Sequence, residues 1–189
     1  MPSLKDRYKL PLNFDVKRMQ RDLTNFTNDD WISHFVEQNY DGDWSVIPLR
    51  GPASATHPVM MIYSDPSCTE FADTCFLEKT QYLPGVLDTF KCPLHAVRLM
   101  KLSAGSRIKE HTDYDLAAEN GVARLHVPIR SEGQVDFRLN GTRVPFEEGQ
   151  CWYLRLCDPH SVENQGTTDR VHLVIDATVN DWLAALLQI

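Results

Sequence analysis

VARLHVPI at residues 122–129, GQCWYLRL at 149–156 and RVHLVIDAT at 170–178 are the stretches on which the fold turns. The first and last each set basic residues at alternate positions among aliphatics: Arg124 and His126 in one, Arg170 and His172 in the other. A period of two is that of an extended chain, so the aliphatics share one face and the basic residues the other. The aliphatic face needs a core to pack on, and the basic face is either solvated or lines an interior that holds compensating charge. Around these stretches lie HAVRLMK, SAGSRIKEH, QVDFRL and TRVPF, the last two joined by Asn140-Gly141, a strong short-range signal for a tight hairpin. About seven short strands in roughly eighty residues predict an antiparallel sandwich or barrel rather than a parallel α/β sheet.

The part before His95 reads differently. Residues Val16 to Leu23 and Asn28 to Gln38 carry apolar positions at helical spacing, with Trp31, Ile32, Phe35 and Val36 as one stripe behind the capping candidates Asn28 and Asp29. Trp44 to Leu49 and Val59 to Tyr63 read as short strands, Asp65-Pro66-Ser67 as a turn, and Tyr82 to Phe90 as a short helix starting near Pro84. At the other end Asn180-Asp181 caps a short apolar helix, WLAALLQ. The expectation is one domain over residues 1–189: a helical and irregular flank with edge strands at 1–94, a β core at 95–178 and a C-terminal helix at 179–189.

Composition narrows the class. With 42% hydrophobic and 24% charged residues the chain has the makings of a packed core, and a net charge of −7 repels polyanions, so nucleic acid is not an expected partner. No stretch approaches the ~20 apolar residues of a membrane span, and the charged start MPSLKDRYKLPLNFD lacks the apolar run of a signal peptide. No membrane association and a cytoplasmic location follow as expectations. Five cysteines with no CxxC pair indicate thiols rather than a disulfide framework or a zinc ribbon.

His111 and Asp113 stand at i and i+2, so in an extended segment both side chains reach the same ion. Alone this is weak, because a His beside an Asp occurs in many surface turns. His160 follows GQCWYLRL, and two histidines with one carboxylate on one face of an octahedron leave the remaining positions open, as in non-haem Fe(II) oxygenases. Arg170 comes ten residues after His160 at the head of a strand, where an inward guanidinium can pair bidentately with a carboxylate. Trp44, Arg50, Tyr114 and Trp152 are candidates for a substrate-pocket wall, with ordinary packing as the plainer role for each.

Taken together, HTDY, RLHVPI, GQCWYL, DPHSVEN and DRVHLVID, in this order, resemble the aspartyl/asparaginyl β-hydroxylase-like branch of the Fe(II)/2-oxoglutarate dioxygenases, which includes bacterial hydroxylases of free proline. The resemblance is good over residues 95–178 and loose before them. It implies a double-stranded β-helix (jelly-roll, cupin-like) core, with His111, Asp113 and His160 on iron and Arg170 on the distal carboxylate of 2-oxoglutarate. It also implies that His126 contacts the co-substrate and that Arg124 touches co-substrate or substrate, or forms a structural ion pair. Fe(II), 2-oxoglutarate and O2 would be the cofactors, and a free amino acid or a peptide the substrate. The animal members have a glycine where this chain has Asp113, so the bacterial type is the nearer. Two other readings stay open at this stage: a cupin-like isomerase or hydrolase, and a non-catalytic metal or 2-oxoglutarate sensor.

Overall fold

The computed structural model describes residues 5–62 and 68–189. The strands are β1 (Arg7–Asn13), β2 (Ile32–Ser33), β3 (Tyr40–Asp41), β4 (Trp44–Pro52), β5 (Phe71–Asp73), β6 (Leu94–Leu102), β7 (Arg107–His111), β8 (Val122–Arg130), β9 (Val135–Leu139), β10 (Thr142–Arg143), β11 (Gln150–Leu154), β12 (His160–Asn164) and β13 (Arg170–Thr178). Among the described residues four α-helices accompany them: α1 (Val16–Leu23), α2 (Pro58–Ile62), α3 (Leu83–Leu87) and α4 (Asp181–Leu187). The major sheet runs β1-β11-β8-β13-β6-β4-β2, with β5 paired to β4, and the minor sheet runs β10-β9-β12-β7-β3. All the pairings are antiparallel, and the two sheets form a jelly-roll.

Alternation along the major-sheet strands sorts the side chains into two cores. Leu125, Val127, Ile129, Leu173, Ile175, Val97 and Leu99 pack with Met19, Leu83, Val86, Leu183 and Leu187, so this face is covered by α1, α3 and α4. The opposite face contributes Val46, Met100, Trp152, Leu154 and Val174 to a second cluster with Ile108, Phe137, Leu139 and Val162 of the minor sheet. That inner face is where Arg98, Arg124, His126, Arg170, His172 and Asp176 lie in sequence alternation with the outer-core aliphatics. Asn140 and Gly141 both have positive φ, 51° and 69°, the backbone that a two-residue hairpin between β9 and β10 requires.

Asp22 joins the helical layer together. Its buried carboxylate accepts hydrogen bonds from the backbone N–H groups of Gln81, Tyr82 and Leu83 at 2.9, 2.8 and 2.9 Å, donors at the start of α3 that have no intrahelical acceptor. Unsatisfied buried donors cost about 1–3 kcal/mol each, so Asp22→Leu is expected to remove about 3 kcal/mol and lower the thermal midpoint by roughly 6–12 °C. Urea unfolding checks this, and a loss below about 1 kcal/mol would show that α3 does not depend on that carboxylate.

Several expectations hold in the structure. Val16–Leu23 is helical, capped by the Asp15 carboxylate; Trp44–Leu49 lies inside β4; and α4 begins under the Asn180 side chain. The five cysteines are free thiols. Among the described residues no helix is long and apolar enough to cross a membrane.

Others do not hold. Residues 28–38 form no continuous helix: a 3-10 turn at Asn28–Asp30 is closed when the Thr27 N–H donates to the Asp30 carboxylate, the chain then extends so that Ile32 pairs with Val46 at the sheet edge, and a second 3-10 turn begins at Glu37. Residues 58–62 are helical rather than extended; Pro58, which fits a first helical position, opens the turn, and the His57 carbonyl accepts from Met60 and Met61. Tyr63 and the Asp65-Pro66-Ser67 turn lie outside the described residues. Only Thr142–Arg143 of TRVPF is extended. The sequence reading also passed over β1, which pairs with β11, and β12, which is central in the minor sheet.

Candidate metal centre

His111 ends β7 and His160 begins β12, and the register sets these two residues directly opposite each other. Their rings lie 4.3 Å apart between centroids. Asp113 follows in the loop, whose course is fixed by the Asp113 N–H donating to the Leu156 carbonyl at 2.8 Å. One nitrogen from each histidine and one carboxylate oxygen all fall within 4.8 Å of one another. His111 Nε2 is 3.8 Å from Asp113 Oδ1, and His160 Nε2 is 4.0 Å from Asp113 Oδ2.

The backbone sets the tautomers. His111 Nδ1 is 2.8 Å from the Lys109 carbonyl and His160 Nδ1 is 3.0 Å from that of Asp158, contacts in which the ring nitrogen must donate. In the neutral rings both Nε2 lone pairs are then free toward Asp113, the orientation a metal-ligating histidine needs. Burial, followed by the neighbouring His111, pushes the pKa of His160 down to about 4, so at neutral pH it is an uncharged donor.

Behind Asp113 lies a buried ion network. Arg124 Nη1 donates to Asp113 Oδ2 at 3.0 Å, while its Nε and Nη2 form a bidentate pair with Asp176 at 2.6 and 2.8 Å. Arg98 Nη1, from the other side, donates to Asp176 Oδ2 at 2.9 Å. These contacts follow from strand order, because β13 lies between β8 and β6, and Asp176 is the Cα partner of Arg124. Of the roles left open for Arg124, the structural ion pair is the one its guanidinium makes here.

Arg170 stands apart from that network. It is buried, and among the described residues no carboxylate pairs with it. Its Nη2 donates to His172 Nδ1 at 2.8 Å, its Nε has no hydrogen-bond partner, and burial pushes its pKa down to about 9. His126 Nδ1 lies 3.4 Å from His172 Nδ1, and the Nε2 atoms of both histidines are buried without a partner. Burial first, then Arg170, holds both rings well below the usual histidine range.

A cavity of about 680 Å³ connects these groups, lined by His111, Asp113, His160, Arg124, His126, Arg170, Arg98 and Asp176. His34 stacks on Trp44 at 3.6 Å between ring centroids and both line the cavity, as do Phe35 and the 85%-exposed Tyr114. Of the proposed wall residues, Trp44 and Tyr114 therefore reach it. Arg50 does not: it pairs with Asp73 at 2.6 Å and donates to the Phe71 and Leu94 carbonyls, beside a separate shallow cleft. Trp152 packs on Phe146 and donates to Gln150, away from the cavity lining.

Arg98, Asp176 and His34 escaped sequence reasoning. The first two had a signal, charged residues at alternate positions inside the aliphatic runs LHAVRLMKL and RVHLVIDAT; His34 had none.

Comparison with known proteins agrees with this layout. An oxidoreductase of the 2OG-Fe(II) oxygenase family from Burkholderia pseudomallei has the same fold, with a TM-score of 0.57 at 14% identity, over 92% of this chain and 85% of that one. A Pseudomonas putida prolyl-4-hydroxylase gives 0.55 at 11% identity, over 93% of each chain. At such identities the likeness concerns the fold. Sequence speaks more directly: the aspartyl/asparaginyl beta-hydroxylase family model matches residues 13–179, a span that takes in every strand from β2 to β13 and all the side chains around this cavity, and the chain belongs to that family.

Proposed function

We propose that this chain is an Fe(II)- and 2-oxoglutarate-dependent dioxygenase that hydroxylates an amino acid, free or within a peptide. In this reading His111, Asp113 and His160 hold the metal, Arg170 takes the distal carboxylate of 2-oxoglutarate, and His126 meets the co-substrate beside it. The observation that carries the reading is Arg170: a buried guanidinium that pairs with no carboxylate among the described residues, in the same cavity as the His-Asp-His group. A buried cation is stable when an anion accompanies it, and a dicarboxylate brings one. The partnerless Arg170 Nε is a donor awaiting such a group.

Bound Fe(II) with 2-oxoglutarate and O2 supplies the oxidation that puts a hydroxyl on a substrate carbon, with succinate and CO2 as co-products. The protein's part is positional. Lys109 and Asp158 carbonyls fix the two imidazoles, Arg124 fixes Asp113, and His172 fixes Arg170. Arg124 is assigned to orienting the carboxylate ligand rather than to gripping co-substrate. Arg98 and Arg124 share the one carboxylate of Asp176. The cavity has room for co-substrate and an amino-acid-sized group together.

Anaerobic titration with Fe(II) and then 2-oxoglutarate tests the reading through the weak visible charge-transfer band of a metal-chelated 2-oxo acid. Wild type is expected to develop the band. Arg170→Ala is expected to need about 10- to 100-fold more 2-oxoglutarate, the equivalent of a charge-assisted hydrogen-bonded pair, with iron affinity unchanged. Iron bound without any band would favour a cupin-like isomerase or hydrolase.

A further inference from the structure

His172 holds Arg170 in a way that matters for what Arg170 can bind. The side chain is fully buried, and its Nδ1 accepts the Arg170 Nη2–H at 2.8 Å. An imidazole nitrogen that accepts carries no proton, so the ring is neutral with its hydrogen on Nε2. Phe146 meets it edge-on at 5.0 Å and His126 at 5.7 Å, which closes the ring in on two sides. Arg170 is thus oriented by a neighbour that supplies a lone pair and no charge. A carboxylate at the same place would orient the guanidinium equally well and also neutralise it.

We propose that His172 is a positioning residue whose neutral lone pair fixes the Arg170 fork while leaving its positive charge uncompensated, reserving that charge for the distal carboxylate of the co-substrate and setting the length of 2-oxo acid that reaches it. The inference rests on the dioxygenase reading of Arg170. It explains why, among the described residues, a buried arginine stands beside two histidines and pairs with no acid: an internal carboxylate would compete with the ligand. The rigid contact also fixes the distance from the metal ligands at which a carboxylate is met, so the preferred chain length should depend on it.

Three substitutions separate positioning from mere packing. His172→Asn keeps an acceptor oxygen near the place of Nδ1, His172→Leu removes the acceptor, and His172→Asp adds a carboxylate. Calorimetric binding of 2-oxoglutarate and of 2-oxoadipate, one methylene longer, to the Mn(II)-loaded protein reads affinity and length preference without turnover, and thermal unfolding without ligand reads stability.

The Asn variant is expected within about threefold of wild type, and the Leu variant about tenfold weaker, with less discrimination between the two acids. The Asp variant should lose about 100-fold or more in affinity while unfolding at or above the wild-type temperature, since Arg170 then has an internal partner. A Leu variant equal to wild type in affinity and length preference overturns the inference, as does an Asp variant that binds normally or fails to fold. A wild-type protein that binds neither acid overturns the dioxygenase reading, and this inference with it.

Discussion

Asp176→Leu is expected to produce the largest loss of stability of any single substitution in the cavity wall, about 3–5 kcal/mol, with a thermal midpoint lower by roughly 6–20 °C. The reason is arithmetic of charge rather than contact area. Asp176 is buried and accepts two hydrogen bonds from Arg124 and one from Arg98. Without that carboxylate the Arg98 side chain, 2% exposed, and the Arg124 side chain, 11% exposed, lose the acceptor they share. Removing one partner of a buried ion pair strands the other charge, whereas replacing the whole group with well-packed apolar residues is often neutral. The triple replacement Arg98→Met, Arg124→Met, Asp176→Leu should therefore recover most of the lost stability while metal affinity stays about 10- to 100-fold reduced, because nothing then orients Asp113. Chemical denaturation with parallel Co(II) binding measures both; equal stability of the single and triple variants would refute the charge argument.

The same network sets an acid limit. Burial by itself would raise the Asp176 pKa, but Arg124 and then Arg98 outweigh it and hold the carboxyl well below the usual carboxylate range. A carboxyl depressed in the folded state contributes its stability in full above the unfolded value of about 3.9 and loses it as pH falls from there through the folded value. Between pH 7 and 5 this contribution is constant. Below about pH 4 wild type should lose stability more steeply than the triple variant.

What could be read from sequence follows from how far apart the interacting residues stand. The period-two pattern in VARLHVPI and RVHLVIDAT exposed a sheet with one aliphatic and one basic face because each strand carries that information alone. HxD is likewise local, and β7 with its following loop does bring His111 and Asp113 together. The Arg98–Asp176–Arg124 group is different: it depends on β13 lying between β6 and β8, an order that no single strand encodes. The apolar spacing of Trp31, Ile32, Phe35 and Val36 suits a helix, yet these residues serve an edge strand and a loop over the cavity mouth, where Ile32 pairs with Val46 and Phe35 lines the opening. In HSVEN only Val162 is an apolar strand former, so β12 takes its extended form from β7 and β9 on either side rather than from its own composition.

Asp113→Ala is expected to lower Fe(II) affinity and turnover by at least about 100-fold, at or beyond the upper end of what losing an outer-shell partner of a metal costs. Stability should change little, by about 1 kcal/mol, because Arg124 keeps its bidentate pair with Asp176. That separation is what makes the experiment decisive: Asp176→Leu loses stability first, and Asp113→Ala loses the metal first. Arg170→Ala offers the third pattern, with metal retained and co-substrate lost. Animal members of the family that carry a glycine at this position raise the question of whether the carboxylate is dispensable here. The Arg124 contact bears on it in physical terms. Once Asp113 is gone, Arg124 Nη1 loses its acceptor and leaves a guanidinium edge facing the place a divalent cation would occupy, with no anion between them. Asp113→Ala, Arg124→Met should accordingly regain part of the metal affinity lost in Asp113→Ala, and titration with Mn(II) followed by electron paramagnetic resonance reads that difference directly. Full metal binding and wild-type succinate release from Asp113→Ala would remove the carboxylate from the ligand set.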